Sequence, residues 1–186
     1  MKVKEAPADS GLQAYVNVVK KKIKRPIVVF DIETTDADIY SAEVVQFGAI
    51  KVWPNGKTQE LEFVCKPNKP ISQGATDVHG LSDDDVKDKP PFSQYISDLV
   101  KLFQDADIVG FNLKRFDVKI VSRQMKDNGV EDIFKDAVVY DAYTVFCNHC
   151  SRKLTDAVQF YVGEDIKDAH DAMGDVKSTL AIMAKQ

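Results

Sequence analysis

The stretch IVVFDIETTD, residues 27–36, decides the fold and raises the question of function. Its first six residues predict a central strand, because apolar side chains occupy both faces. Asp31 and Glu33 lie two residues apart, so both carboxylates leave the same face of that strand. Burial of an unpaired charge is costly, and the local sequence supplies no cation. Simple strand termination explains one acid more easily than two acids on one face.

The residues on either side of this strand predict an α/β domain. The chain has 186 residues, of which 44% are hydrophobic and 29% charged, as in ordinary globular proteins. Strands are predicted over 27–32, 44–53, 58–66, 107–111 and 137–140. Helices are predicted over 10–25, from residue 82, and over 91–103, 115–128, 153–162 and 171–184, with a long loop over 67–80. This order predicts a mixed five-stranded sheet, an antiparallel three-strand meander plus parallel strands, with helices on both faces.

The first 25 residues are predicted to be an amphipathic, basic helical extension, and residues 26–186 the main domain. Leu12, Val16 and Val19 recur at helical spacing, and Pro26 is predicted to close the helix. Five of the residues from 20 to 25 are Lys or Arg. They suit a solvated helix end that complements the helix dipole, and they also suit a surface that contacts phosphates.

Composition limits the possible functions and locations. The net charge of −4 by itself argues against a generic nucleic-acid binder. No apolar run reaches the roughly 20 residues that a membrane span needs, and no secretory signal is evident at the N-terminus. Three cysteines are too few for a disulfide framework, so we expect a reducing, cytoplasmic location. Cys147, His149 and Cys150 form a CNHC run that matches no standard zinc pattern, so packing or surface placement is favoured over a metal site.

Two more acidic positions follow far along the chain. Asp117 ends the run FNLKRFD at the start of a predicted helix. Asp175 ends the run HDAMGD, which opens with His170. Taken alone, Asp117 is typical of a residue that complements a helix dipole, and His170 is typical of a polar residue near a helix start.

The four carboxylates are more informative as a set. If they converge at one end of the sheet, their mutual repulsion in a partly dry site is strong. Mg²⁺ relieves it, because Mg²⁺ prefers oxygen ligands and retains waters and substrate oxygens. Two such ions offset four negative charges, so the overall charge no longer excludes a polyanionic substrate. Two metals beside a phosphate suit phosphodiester hydrolysis, and a histidine can accept the proton of the attacking water.

The three motifs FDIETT, FNLKRFD and HDAMGD, in this order, resemble those of the DEDDh 3′–5′ exonucleases. This superfamily contains the proofreading epsilon subunit of bacterial DNA polymerase III. The similarity runs from about residue 27 to 184 and includes PNKPISQGATDVHGLSDDDVKDKPPF between the first two motifs. The resemblance implies a ribonuclease H-like fold and release of nucleoside 5′-monophosphates from 3′ ends.

The resemblance also implies roles for individual residues. It makes Asp31, Glu33, Asp117 and Asp175 the ligands of two divalent ions, Mg²⁺ with Mn²⁺ as a substitute. Asp31 bridges both ions, Glu33 and Asp175 help hold the ion on the nucleophile side, and Asp117 reaches the other. His170 is the general base. The positions that commonly line the pocket for the terminal nucleotide are Thr34, Thr35, His79 and Phe116. Phe116 also suits a core position, and His79 also suits a turn.

Two departures from the family pattern affect these expectations. Phe111 stands where the second motif often has His, which we expect to alter packing and not metal binding. The chain ends at Gln186, without the C-terminal extension by which proofreading subunits commonly dock a polymerase, which argues against stable polymerase association. The expected partner is nucleic acid, with single-stranded 3′ ends and a role like DNA repair or proofreading. The alternatives are an exoribonuclease that trims RNA 3′ ends and a non-catalytic binding module for nucleic acid or protein.

Overall fold

The computed structural model describes residues 10–147, 153–164 and 171–185, which form a five-stranded mixed sheet. The strands are β1 (Ile27–Thr34), β2 (Val44–Val52), β3 (Thr58–Val64), β4 (Asp107–Gly110) and β5 (Val139–Asp141). Their order across the sheet is β3-β2-β1-β4-β5. The first three strands are an antiparallel meander, whereas β4 runs parallel to β1 and β5 parallel to β4. The predicted α/β topology is therefore confirmed.

Helices cover both faces of this sheet. They are α1 (Ser10–Val19), α2 (Gln73–His79), α3 (Asp83–Val86), α4 (Ile96–Phe103), α5 (Asp117–Asp127), α6 (Ala142–Phe146), α7 (Leu154–Tyr161) and α8 (Ala172–Lys185). Helices α4 and α5 bury one face, where Val28 and Phe30 of β1 join their apolar residues. Helices α1 and α8 bury the other face, around Ile27 and Val29. Helices α6 and α7 pack beside α8 through a further apolar cluster.

Strand β1 passes beyond its parallel neighbour, which leaves one of its edges open. Strand β4 pairs with β1 only as far as the Val29–Val109 pair, whereas β2 follows β1 as far as Thr34. The carboxyl half of β1 therefore has a partner on one side only, and the first turn of α5 approaches the other side. Open α/β sheets usually bind ligands at the carboxyl ends of their strands, at the point where the strand order reverses.

Two short helices lie where the sequence predicted none. Helix α2 falls within the predicted loop over 67–80; Ser72 accepts a hydrogen bond from the Ala75 N–H, and Gly80 ends the helix at φ 79°. Both caps are readable in the sequence, but no residue of α2 is buried, so no apolar periodicity marks it. Helix α6 has five residues, fewer than two turns, and periodicity cannot identify so short an element.

The first helix is shorter than predicted and does not extend to Pro26. It ends at Val19, and residues 20–22 form a turn. Its buried residues Leu12, Val16 and Val19 pack against Val176 and Leu180 of α8. If the helix continued beyond Val19, the added residues would be mostly lysines. A helical segment without an apolar face gains little stability from packing, so the helix ends there.

Two further expectations concern membranes and cysteine. Within the described ranges, no helix combines the length and the apolar character that a bilayer span needs. Cys147 is exposed, whereas His149 and Cys150 of the CNHC run lie outside the described residues.

Candidate active site

Three carboxylates from two distant segments meet at the open end of β1. One ligand oxygen each of Asp31, Glu33 and Asp175 lies within 4.8 Å of the others. Ile27 and Val29 face α8, so the alternation along β1 turns Asp31 and Glu33 toward the same helix. Asp175 lies in the first turn of α8 and completes the group.

Asp117 reaches the same place from the opposite face of the sheet. It is the first residue of α5, and its side chain is only 6% exposed. Its Oδ1 accepts a hydrogen bond from the Ile32 backbone N–H at 3.3 Å, on the edge of β1 that β4 leaves open. This bond places Asp117 beside Asp31, and the Asp117 charge is among those that raise the pKa of Asp31.

A glycine allows α8 to approach the sheet this closely. Gly48 lies opposite Asp31 in the register of β1 and β2. A Cβ atom at residue 48 would lie 3.0 Å from the carbonyl carbon of Ala172 and 3.1 Å from the amide nitrogen of Met173. Both residues belong to the first turn of α8, so a side chain at residue 48 would push that turn, with Asp175, away from Asp31. A glycine inside a strand often marks such a close approach, so the signal was present in VVQFGAIKV.

Asp171 and Gln46 also support the site, and the sequence analysis did not identify either of them. Asp171 accepts a hydrogen bond from the Gly174 N–H at 2.8 Å through Oδ2, which satisfies an amide of the first turn of α8. Its Oδ1 accepts from the Gln46 side-chain amide at 3.3 Å. Gln46 pairs with Glu33 across β1 and β2, so it ties the start of α8 to the strand beside the acids.

Crowding makes these carboxyl groups hard to ionise without a cation. Burial, followed by the charges of Asp117, Asp175, Glu33 and Asp171, raises the pKa of Asp31 well above its usual range. Burial and the neighbouring carboxylates raise the pKa of Glu33 to about 8. Burial, with a contribution from the Asp141 charge, raises the pKa of Asp117 to about 7.

This donor set fits a divalent cation. Three carboxylate oxygens within 4.8 Å of one another match the hard oxygen ligands that Mg²⁺ and Mn²⁺ prefer. A bound cation favours the ionised form of each acid and removes the mutual repulsion that raises their pKa values. The site is therefore suited to divalent metal binding.

A groove of about 420 Å³ opens beside the acids. Glu33 lines it on the acidic side, and Thr34, His79 and Phe116 line it as well. Thr35 is not among the lining residues: its side chain is fully buried, and its hydroxyl accepts a hydrogen bond from the Glu43 N–H at 3.0 Å. The structure thus brings three of the four predicted substrate contacts to one groove and places Thr35 behind it.

His79 connects the wall of this groove to the end of β1. Its Nδ1 accepts a hydrogen bond from the Leu81 N–H at 3.1 Å, so Nε2 carries the proton and donates to the Thr34 carbonyl, also at 3.1 Å. Burial lowers the pKa of His79, which favours this neutral form. Both ring nitrogens are engaged with backbone groups, so His79 offers the ring surface and not a free nitrogen to the groove.

The remaining site prediction, His170, lies outside the described residues, which resume at Asp171. Phe111, the departure from the family pattern, packs against Tyr143 and Phe146 with ring centroids 5.3 and 5.9 Å apart.

Comparison with known proteins identifies relatives of this arrangement. The family model RNase_T, described as exonuclease, matches residues 28–183. A DNA polymerase III PolC-type from Caldanaerobacter subterraneus subsp. tengcongensis is 26% identical over 179 residues, which are 95% of this chain and 13% of that protein. A PolC-type polymerase from Streptococcus mutans is 28% identical over 111 residues, which are 60% of this chain and 8% of that protein. The chain thus spans a small part of the curated relatives that it matches.

The fold is also similar to that of a solved nuclease. The structure of E. coli exonuclease I with a dT13 oligonucleotide matches with a TM-score of 0.76 and 20% identity, over 87% of this chain and 40% of that one. A zinc-bound complex of the same enzyme with single-stranded DNA matches with a TM-score of 0.77 and 22% identity, over 88% and 40%. At these identities the likeness shows the fold, and that fold is the predicted ribonuclease H-like one.

Proposed function

Because this chain belongs to the RNase_T family of exonucleases, we propose that it is a metal-dependent 3′–5′ exonuclease. In this proposal it hydrolyses phosphodiester bonds at single-stranded nucleic-acid 3′ ends and releases nucleoside 5′-monophosphates. The observation that carries the proposal is the meeting of Asp31, Glu33 and Asp175 oxygens within 4.8 Å, with Asp117 hydrogen-bonded to the adjacent strand.

The carboxylates are assigned the metal-binding role, with Asp31 at the centre of the group. The proposal that Asp31 is shared between two ions is supported by its oxygen, which lies within 4.8 Å of those of Glu33 and Asp175, and by the bond of Asp117 to the next residue of the strand, Ile32. Two divalent ions, Mg²⁺ or Mn²⁺, when bound there, supply an activated water and stabilise charge on the phosphate and on the leaving oxygen. His170 is proposed as the base that takes the proton from that water, because histidine, with a reference pKa of about 6.5 in model peptides, is the residue type suited to this task near neutrality.

The groove beside the acids is assigned to the terminal nucleotide. The Phe116 ring and the His79 ring line it, and aromatic surfaces hold unpaired bases by stacking. Thr34 is in the groove, but its hydroxyl donates to the Asp36 carbonyl at 2.7 Å, so its contribution is to shape the wall. Glu33 belongs both to the wall of this groove and to the acid group, so a nucleotide bound in the groove would lie next to the acids.

Digestion of end-labelled oligonucleotides tests the polarity and the metal requirement. Matched DNA and RNA strands, single and double, carry a fluorophore at either end, and products are resolved on a gel with Mg²⁺, with Mn²⁺ and with chelator. We expect trimming from the 3′ end with either metal, and none with chelator or with Asp31→Asn. Shortening from the 5′ end, or full activity of Asp31→Asn, contradicts the proposal.

A change at His170 separates the base from the metal ligands. His170→Ala should lower kcat by roughly 10² to 10⁴ while Mn²⁺ binding is retained, because a base acts in proton transfer and not in metal binding. An unchanged kcat removes His170 from this role.

The same experiments separate the remaining candidates. DNA is favoured as substrate because the PolC-type relatives are DNA polymerases and the exonuclease I structures contain DNA oligonucleotides. Preferential trimming of RNA would instead assign the chain to RNA 3′-end maturation. A binding module on this fold would shift a labelled strand on a native gel and leave its length unchanged with metal; the preserved set of acids argues against it.

A further inference from the structure

The backbone that delivers Asp117 to the site has an unusual conformation. Residues 111–116 connect β4 to α5, and Asn112 within them adopts φ 63°, in the left-handed region that asparagine tolerates better than most residues but that few residues other than glycine occupy. Helix α5 begins without a side-chain cap at Phe116. The connection therefore needs support from another part of the molecule if Asp117 is to have one position.

Asp141, at the carboxyl end of β5, supplies that support. Its side chain is buried, and its Oδ1 accepts a hydrogen bond from the Asn112 N–H at 2.8 Å. Its Oδ2 accepts another from the Lys114 N–H at 3.2 Å. Oδ1 also accepts from the Tyr143 N–H at 3.1 Å, which caps α6. Hydrogen bonds from backbone amides to a buried carboxylate are about twice as strong as neutral ones.

We propose that Asp141 is a positioning residue: its carboxylate holds the β4–α5 connection in its left-handed turn and thereby keeps Asp117 beside Asp31. This inference rests on the proposed function, since it assigns the purpose of the connection to the site. Asp141 pairs with Gly110 at the end of β4, so the β5 strand and the connection are tied together where the acids meet. Both carboxylate oxygens of Asp141 accept hydrogen bonds from backbone N–H groups, so we assign it a role through Asp117 and not as a ligand.

Two variants of Asp141 and one control separate positioning from general stability. Asp141→Ala removes both acceptor oxygens and with them all three hydrogen bonds. Asp141→Asn keeps one oxygen but turns an NH₂ donor toward a backbone N–H. The control is Asp107→Ala, at the amino end of β4, because Asp107 also accepts from a neighbouring backbone N–H, that of Val138 at 3.0 Å, but lies at the far end of the strand from the acids.

The first measurement does not depend on catalysis. Mn²⁺ binding is followed by electron paramagnetic resonance, and exchange of the Asn112 and Lys114 amides by NMR, at temperatures well below each variant's Tm. We expect both Asp141 variants to exchange these amides faster and to bind Mn²⁺ more weakly, by about 10-fold and up to about 100-fold, the loss that follows when groups that orient a metal ligand are removed. Asp107→Ala should change neither.

The second measurement uses the oligonucleotide assay. Loss of kcat by about 10²-fold with a nearly unchanged KM is expected for Asp141→Ala, because a displacement of about 1 Å in a catalytic group can cost that much. Partial recovery of kcat at a high Mn²⁺ concentration would also support the positioning role of Asp141. If Asp141→Asn binds Mn²⁺ and turns over as the wild type does, the inference is wrong. It is also wrong if Asp107→Ala loses as much Mn²⁺ affinity and kcat as the Asp141 variants. If the wild type binds Mn²⁺ but cleaves no oligonucleotide, the proposed function fails while the binding comparison still decides the role of Asp141.

Discussion

Gly48→Ala tests whether the close approach of α8 to β2 sets the geometry of the acids. The new Cβ would lie 3.0 Å from the carbonyl carbon of Ala172, about 0.4 Å short of the 3.4 Å at which ordinary contact begins. The atoms it meets are backbone atoms of α8, which cannot turn aside as a flexible side chain can. The first turn of α8, including Asp175, must therefore move by a few tenths of an ångström.

The size of this displacement sets the expected losses of activity and stability. A misplacement of about 1 Å can cost roughly 100-fold in rate, so a shift of about half that size should cost about tenfold in kcat. Overpacking costs about 1–3 kcal/mol of stability, and the smaller entropy of an unfolded chain with alanine returns about 0.4–1 kcal/mol. We therefore expect the free energy of unfolding to fall by about 0.5–2 kcal/mol.

The assay combines kinetics with urea unfolding. Trimming of a single-stranded oligonucleotide gives kcat and KM, and unfolding without metal gives stability. Gly74→Ala is the matched control for stability alone, since no atom lies within 4 Å of a Cβ there, and it should stabilise the protein by up to about 1 kcal/mol. A Gly48→Ala protein with unchanged kcat and a gain in stability like that of Gly74→Ala would refute the proposed role of the close approach.

Three further predictions concern the charges of the site and one buried lysine. Asp31→Asn should abolish activity and yet raise the Tm of the metal-free protein at pH 8, because it removes one of the crowded acids. A lower Tm would contradict the inference that the carboxylates of the site repel one another. Since the pKa of Glu33 rises from 4.5 to about 8 on folding, the native state binds a proton that the unfolded chain has released between these values. The Tm of the metal-free protein should therefore fall as pH rises from about 5 to about 8, and Mg²⁺ should remove the slope; a slope unchanged by Mg²⁺ would contradict metal binding by these acids. Lys51→Met should lower the free energy of unfolding, measured by urea titration, by about 1–3 kcal/mol and leave kcat unchanged. The reason is that the Lys51 ammonium donates hydrogen bonds to the Leu102 and Gln104 carbonyls at 2.7 and 2.9 Å, at the end of α4. A variant as stable as the wild type would show that these bonds make no net contribution to stability.

The fold was largely predictable from the sequence, and the elements that were missed or misplaced have physical explanations. Apolar runs bounded by turn residues marked all five strands, most clearly β1 and β2, which are largely buried and whose composition reflects it. The same criterion missed α2, whose residues are not buried, and α6, which is too short. It also extended the first helix past Val19, since lysines are compatible with a helix on propensity alone.

The acids were predictable as a set, but their supporting residues were not. Asp31, Glu33, Asp117 and Asp175 stand in motifs whose order and spacing carry the family resemblance. Asp141 stands in none of these motifs, and Asp171 stands in HDAMGD without a role that the motif assigns, because an acid at the end of a strand or the start of a helix is common in any protein. His79 was predicted to line the substrate pocket. Its hydrogen bonds to two backbone groups could not be predicted, because they depend on how α2 packs against the end of β1.

The sequence by itself determined which residue types were available and on which face of each element they stand, since alternation along a strand and spacing along a helix are local properties. It therefore determined that Asp31 and Glu33 share one face and that α8 has an apolar side. Only the tertiary structure decided that the first turn of α8 touches β2 at Gly48, and that Asp117 joins β1 where β4 ends. Such contacts join segments more than 80 residues apart, and their distances depend on how whole elements pack.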